Sequence, residues 1–136
     1  IRSNAAPVQT VTPKQHRVID DATVKLHAAT RDIVEALDGS LPRDLEKRFN
    51  AQQASVYTDR LVDGNSKRIQ KLVESRVKDE RLLKARVNAY IRIFERLLDT
   101  LSVEGGSGNP ALDEVLASDH GQLYMMLAQA TGRVPD

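Results

Sequence analysis

Apolar side chains recur every three or four residues along most of this chain, which is the spacing of one face of an α-helix. Over residues 13–37 the repeat alternates large side chains with alanine, in the series Ile19, Ala22, Leu26, Ala29, Ile33 and Ala36. This alternation favours close antiparallel pairing with another helix, because alanine lets the partner backbone approach. No segment has the strict two-residue alternation of a half-buried strand. The pattern therefore predicts an all-α fold.

Residues that cap helices mark both ends of the first helix. Thr12 can accept a hydrogen bond from a free amide of the first turn, Pro13 suits the first helical position, and Gln15 completes a capping box. At the other end, Gly39 can adopt the left-handed backbone that ends many helices. These signals predict a first helix over residues 13–37.

Three further helices are predicted between turns that contain Gly or Pro. The second covers residues 42–62 and ends before an Asp-Gly-Asn-Ser turn. The third covers residues 67–103, which contain neither Gly nor Pro. The fourth begins at Asn109 and Pro110, with Gly121 as a candidate break and Ser118 as a second cap. We therefore expect an antiparallel bundle of about four helices with one long third helix.

The expected domain organisation follows from these elements. It comprises an N-terminal extended segment (1–12), a three-helix core (13–104), a Gly/Ser linker (105–109) and a C-terminal helical segment (110–136). The Gly-Gly-Ser-Gly sequence fits a natural loop and also the flexible linkers that join two chains. The last segment is therefore either a native fourth helix or a tethered partner segment.

The predicted third helix is too long for its neighbours. At 1.5 Å per residue it spans about 55 Å, whereas the first two helices span about 35 Å each. An uncovered apolar overhang of that size is disfavoured in water. The fourth helix can fold back over it, the helix can bend between Lys78 and Glu80, or a second copy can cover it. We favour the fourth helix together with a modest dimer interface.

Composition narrows the classes of function. The chain has 136 residues and no Cys, which excludes disulfides, thiol catalysis and Cys-bound metals. Twenty basic residues against 19 acidic ones give a net charge of +1, so any basic surface must be local. Aromatic residues make up only 4%, too few for a base-stacking platform.

One such local surface is the segment 67–86, which has eight Lys or Arg against three Asp or Glu. On one continuous helix, four cations share a face and are the candidate contacts to nucleic acid: Lys67, Lys71, Lys78 and Arg81. Glu74 lies among them at the spacing of intrahelical ion pairs, which weakens the attraction to an anion. Nucleic-acid binding is therefore the alternative function.

Three histidines are candidates for chemistry. His16, Asp20 and His27 fall on one side of the first helix, away from the Ala-containing seam, and we interpret them as solvated. His120 follows Asp119 and precedes a glycine, but no nucleophile motif accompanies it. We expect no catalytic residue, no cofactor and no metal ion. A deep polar pocket around His120 would instead favour an enzyme.

The leading hypothesis is a non-catalytic helical interaction module, an adaptor, regulator or assembly component with coiled-coil-like packing. We expect an exposed seam on the third and fourth helices to bind a helix of another protein or of a second copy of the chain, as in a homodimer. Seven residues of the third and fourth helices are the candidate partner-binding residues: Tyr90, Phe94, Leu97, Leu101, Leu123, Tyr124 and Met126. Aromatic and Met side chains suit adaptable contact surfaces.

The compartment stays open at this stage. No apolar run approaches the roughly 20 residues that span a bilayer, so no membrane span is predicted. We favour the cytoplasm, while export followed by removal of a signal stays an alternative because the chain begins at Ile1.

Overall fold

A computed structural model of the protein describes residues 11–62, 66–105 and 110–132. These residues form seven helices: α1 (Pro13–Asp38), α2 (Arg43–Asn50), α3 (Val56–Val62), α4 (Ser66–Arg76), α5 (Arg81–Gly105), α6 (Pro110–Ala117) and α7 (Asp119–Ala130). No strand occurs within the described residues, so the predicted all-α class is confirmed. Residues 1–10 of the predicted N-terminal extension, the cap at Asn109 and most of the Gly/Ser linker fall outside them.

The first predicted helix is α1, with both caps as expected. The Thr12 hydroxyl accepts a hydrogen bond from the Gln15 amide at 3.1 Å, and the Thr12 amide donates to the Gln15 side chain at 3.0 Å. Gly39 ends the helix with a φ of 81°, and its amide donates to the carbonyl of Glu35. Local side-chain chemistry therefore sets the length of α1.

The second predicted helix is broken into α2 and α3. Gln52 has a φ of 71°, a left-handed conformation that is uncommon outside glycine. Its amide donates to the carbonyl of Phe49, and the Gln53 amide donates to the carbonyl of Arg48. This pair of bonds is a Schellman motif, which ends α2 in the middle of the predicted helix.

A bidentate ion pair joins α2 to α1. Arg31 donates two hydrogen bonds to the carboxylate of Glu46, at 2.7 and 2.9 Å, and the Tyr57 hydroxyl donates a third at 2.7 Å. These bonds to Arg31 and Tyr57 lower the pKa of Glu46 to about 2. The network fixes α2, which buries no residue of its own, on the outside of the core.

The third predicted helix is also broken, at the bend that was one of three alternatives. The chain turns at residues 77–80, and α5 begins at Arg81. With 26 and 25 residues, α1 and α5 are then about 39 and 38 Å long at 1.5 Å per residue. The predicted overhang disappears because the two paired helices have matching lengths.

The fourth predicted helix is divided by the second cap. The Ser118 hydroxyl accepts from the Gly121 amide at 3.2 Å and donates to the carbonyl of Val115 at 2.6 Å. Gly121 itself lies inside the first turn of α7 and not at the break. A Cβ there would be 2.2 Å from the carbonyl oxygen of Leu116, so only glycine fits the angle between α6 and α7.

The core is built around an antiparallel pair, α1 and α5. Near the start of α5, Arg86 donates a hydrogen bond to the carbonyl of Asp32, towards the end of α1, at 2.7 Å. Near the end of α5, residues 97–100 lie beside residues 18–22, towards the start of α1. Helix α7 packs against α3, α4, α5 and α6, and so closes the other side of α5. Among the described residues, no helix combines the length and apolar character needed to cross a membrane.

Candidate functional site

The seven predicted partner-binding residues lie mostly inside the protein. Tyr124 is half-buried. The other six are buried, with at most 5% of the residue exposed: Tyr90, Phe94, Leu97, Leu101, Leu123 and Met126. The rings of Phe94 and Tyr124 stack with centroids 4.6 Å apart. The expectation that these residues form an exposed seam is therefore wrong, while partner binding itself stays a prediction.

The cause is the packing of α1, α6 and α7 around α5, which is the strongly apolar half of the third predicted helix. The seam predicted to be exposed therefore meets helices of the same chain. An apolar stripe shows that a helix face is covered but not what covers it. If the protein binds a partner, the contact surface must be a different one.

An open groove between α1 and α5 provides such a surface. It has a volume of about 740 Å³ and runs from Val18 to Lys25 along α1, beside residues 89–100 of α5. Its apolar lining includes the half-buried Ala22 and Ile93 and the exposed Ala89. Three basic and three acidic side chains also line it: Lys25, Arg92, Arg96, Asp21, Glu95 and Asp99.

The four candidate nucleic-acid contacts do not share one continuous helix. They are all exposed, but Lys67 and Lys71 belong to α4, Lys78 to the turn, and Arg81 to the start of α5. The predicted common face depended on an unbroken helix, so that alignment is wrong. Lys78 instead lines a separate hollow of about 530 Å³ together with Lys84 and Glu74.

A second feature is a cavity of about 260 Å³ on the other side of α1, which we term the His27/His120 cavity. Four elements line it: α1 with His27, α3 with Thr58, α5 with Phe94, and the junction of α6 and α7 with His120. The two imidazole rings are in contact, with centroids 4.8 Å apart. A pocket around His120 is therefore present, and its lining combines apolar and polar side chains.

The position of the His120 ring is set by Tyr90. The Tyr90 hydroxyl lies 2.9 Å from Nδ1 of His120 and 3.0 Å from the carbonyl oxygen of the same residue. A carbonyl only accepts, so the hydroxyl satisfies both contacts when it donates to the carbonyl and accepts from Nδ1–H. That tautomer leaves Nε2 of His120 as an acceptor.

Burial keeps both histidines neutral. Desolvation, and secondarily the neighbouring His27, lowers the pKa of His120 to about 4. Desolvation also lowers the pKa of His27, with a smaller opposing effect from the Asp59 carboxylate. Desolvation raises the pKa of Tyr90, so its hydroxyl keeps its proton. At neutral pH the cavity therefore presents uncharged hydrogen-bonding groups.

Three buried polar atoms of the cavity residues have no hydrogen-bond partner within the described part of the chain. They are Nδ1 of His27, Oγ1 of Thr58 and Nε2 of His120. Unpaired buried polar atoms are uncommon in folded proteins, and each one calls for an explanation. Here all three belong to residues that line one cavity.

The sequence interpretation of His27 as solvated is corrected by this geometry. His16 and Asp20 are exposed as expected, but His27 is half-buried because α3 and the α6–α7 junction pack against that side of α1. One signal was available: His27 continues the four-residue series of Ile19 and Thr23, which also line the cavity. Nothing in the sequence paired it with His120.

A comparison of the chain with family models, curated proteins and solved structures finds no match in any of the three.

Proposed function

We propose that the protein is a non-catalytic helical interaction module that assembles with a second copy of itself through the α1/α5 groove. The observation that carries the proposal is the groove itself, an open depression lined in part by apolar side chains, on a chain whose buried α5 seam is covered by its own helices. Apolar surface of this kind, bordered by charged side chains, is typical of protein interfaces.

The charges around the groove favour a second copy over a strongly charged partner. Its three basic and three acidic side chains cancel, so two copies do not repel each other. A two-fold axis brings the same patch from both copies together, and a patch with both signs of charge can be self-complementary. Two α1/α5 pairs would then complete an antiparallel four-helix bundle between the copies.

Sedimentation velocity on the Ala89→Glu variant tests this proposal. Ala89 is exposed on α5, so glutamate is compatible with folding but places a charged side chain in the groove. We expect a dimer for the wild-type protein and a monomer for the variant. Ala117→Glu is the matched control, because it makes the same change at an exposed position of α6 outside the groove. A monomeric wild type, or dimers of both variants, would contradict the proposal.

Nucleic-acid binding is the second candidate function. It is favoured by the exposure of all four candidate residues and by the hollow that Lys78 and Lys84 share beside the end of α7. The turn at residues 77–80 contributes Val77 and Lys78 to the lining of this hollow. Glu74 lines the same hollow and reduces its positive charge.

The salt dependence of binding to mixed duplex and single-stranded DNA tests this second function. Contacts to phosphate release counterions, so binding should weaken steeply between low and moderate salt. A Lys78→Gln variant should bind more weakly, whereas Lys25→Gln, in the α1/α5 groove, should bind as the wild type does. Absence of binding at low salt would exclude this function.

A further inference from the structure

We propose that the His27/His120 cavity binds a small organic molecule, neutral or cationic, that has hydrogen-bond donors on an apolar body. The inference is independent of the α1/α5 groove, because groove and cavity lie on different sides of α1 and share only Leu97. Three independent properties support it: unpaired buried atoms, a suitable volume, and the sign of the nearby charges.

The unpaired atoms are the first property. Thr58 is 1% exposed and His120 9%, yet Oγ1 of the first and Nε2 of the second have no partner within the described residues. An unpaired polar group inside a protein has lost its hydrogen bonds to water without gaining others, which destabilises the folded state. A molecule that supplies matching groups recovers this loss on binding. The cavity should therefore prefer a molecule that has polar groups along one edge.

The volume is the second property. About 260 Å³ exceeds the cavity of about 150 Å³ that holds benzene in an engineered protein, and it is several times the roughly 30 Å³ share of one water molecule. Ile19, Leu26 and Phe94 form apolar walls, which suit a ring or a short aliphatic chain. A single-ring compound fits these limits, whereas a nucleotide or a peptide does not.

Charge is the third property. Only two of the lining residues carry a formal charge, Glu114 and Asp119, and both are acidic and exposed where the cavity opens to solvent. Nε2 of His120 accepts a hydrogen bond in the tautomer that Tyr90 favours. An ammonium or hydroxyl group can donate to it, whereas a carboxylate would meet acceptors and negative charge.

A metal ion is a less suitable occupant. The described residues contain no group of three or more His, Asp or Glu side chains placed to hold a metal ion. The two imidazoles are therefore better matched to hydrogen-bond donors of an organic molecule than to a coordination sphere.

Three probes of similar size and different charge test the proposal: benzylamine, benzyl alcohol and benzoate. Each is added to the full chain at pH 7 while nitrogen NMR follows the ring resonances of His27 and His120. We expect benzylamine and benzyl alcohol to shift both rings in a saturable manner. Benzoate should bind roughly tenfold more weakly, because its negative charge is desolvated and lies near the carboxylates of Glu114 and Asp119. Equal binding of all three, or binding of none, would overturn the proposal.

Thr58→Val provides the specific variant. Valine has a similar shape and removes an unpaired hydroxyl, so the variant should fold with unchanged or higher stability. We expect it to bind benzyl alcohol about five-fold more weakly, a loss typical of one hydrogen bond. The control is Thr30→Val, which removes a buried hydroxyl that donates to the Leu26 carbonyl and does not line the cavity. Unchanged binding by Thr58→Val, or an equal loss in both variants, would overturn the proposal that the unpaired atoms of the cavity recognise the ligand.

Discussion

The guanidinium of Arg76 donates hydrogen bonds to two carbonyl oxygens in the last turn of α1, to that of Leu37 at 2.7 Å and to that of Ala36 at 3.2 Å. The same side chain also binds the carboxylate of Glu80 through two of its nitrogens. Arg76 thus supplies hydrogen-bond donors to free carbonyls at the end of α1, and its ion pair with Glu80 stabilises the turn between α4 and α5.

Replacing Arg76 by lysine should lower the free energy of unfolding by about 1–2 kcal/mol. Lysine keeps the charge, but an ammonium group cannot reach both carbonyls and the carboxylate with the geometry of a planar fork. Urea denaturation at pH 7 measures the change. The control is Arg60→Lys, which alters an exposed ion pair with Asp38 and should cost less than about 0.5 kcal/mol. Equal losses in both variants would contradict the special role of Arg76.

The free energy of unfolding should fall as the pH is lowered from about 6.5 to about 4, because the buried imidazole of His120 resists protonation in the folded protein. Its pKa is about 4 in the folded protein against an ordinary value of 6.5, so the unfolded chain binds more protons in that window. The stabilisation is fully present above pH 6.5 and is lost as the pH falls towards 4. The loss should reach roughly 2–3 kcal/mol.

Urea titrations of the wild type and of His120→Gln between pH 4 and 7 measure this dependence. The variant should show a flatter profile, with a remaining slope from His27, whose pKa is lowered in the same direction but opposed by Asp59. Glu114 and Asp119 also line the cavity and are common to both proteins. Identical slopes in the two proteins would show that His120 does not titrate in this window.

Alanine at position 121 should destabilise the protein strongly. Its Cβ would lie 2.2 Å from the carbonyl oxygen of Leu116 and 2.5 Å from that of Val115, both of them backbone atoms. Helices α6 and α7 would have to move apart, at a cost of about 1–3 kcal/mol or more. Gly39→Ala is the comparison. Gly39 has a φ of 81°, but a Cβ added there would meet no atom within 4 Å, so this substitution should cost only about 1 kcal/mol. A smaller loss for Gly121→Ala than for Gly39→Ala would contradict the close contact.

Glycine at position 52 should stabilise the protein by up to about 1 kcal/mol. Gln52 has a φ of 71°, and glycine adopts that conformation without the strain of a Cβ. Thermal unfolding measures the gain. The control is Gln122→Gly, which makes the same change at an exposed, ordinary helical position of α7 and should destabilise by about 1 kcal/mol. A loss of stability in both variants would show that the left-handed conformation is not strained.

Helix ends with local capping chemistry were predictable from the sequence. Thr12, Gly39 and Ser118 act through groups only a few residues away, so their roles are visible in a short stretch of chain. The break at Gln52 was not predictable in this way. A glutamine in the left-handed region is held there by its surroundings, and the residue itself gives no sign of it.

The candidate site was harder to predict because it is made by tertiary contacts. The sequence indicated that Phe94 and Leu123 lie on apolar faces, but such faces look alike whether a partner or the same chain covers them. His27 and His120 come from helices far apart in the chain, and no local pattern pairs them. A pocket around His120, the condition stated from the sequence, is present in the structure.

The pairing of α1 with α5 has a consequence for synthesis of the chain. The first helix emerges from the ribosome with Leu26 and Ile33 on its surface, and the helix that buries them follows only after α2, α3 and α4. Domains fold as units during synthesis, and exposed apolar surface in an incomplete chain promotes aggregation. A nascent chain that stops short of residue 81 therefore has a helix without its main partner, and chaperones that bind apolar segments would recognise it in preference to the finished protein.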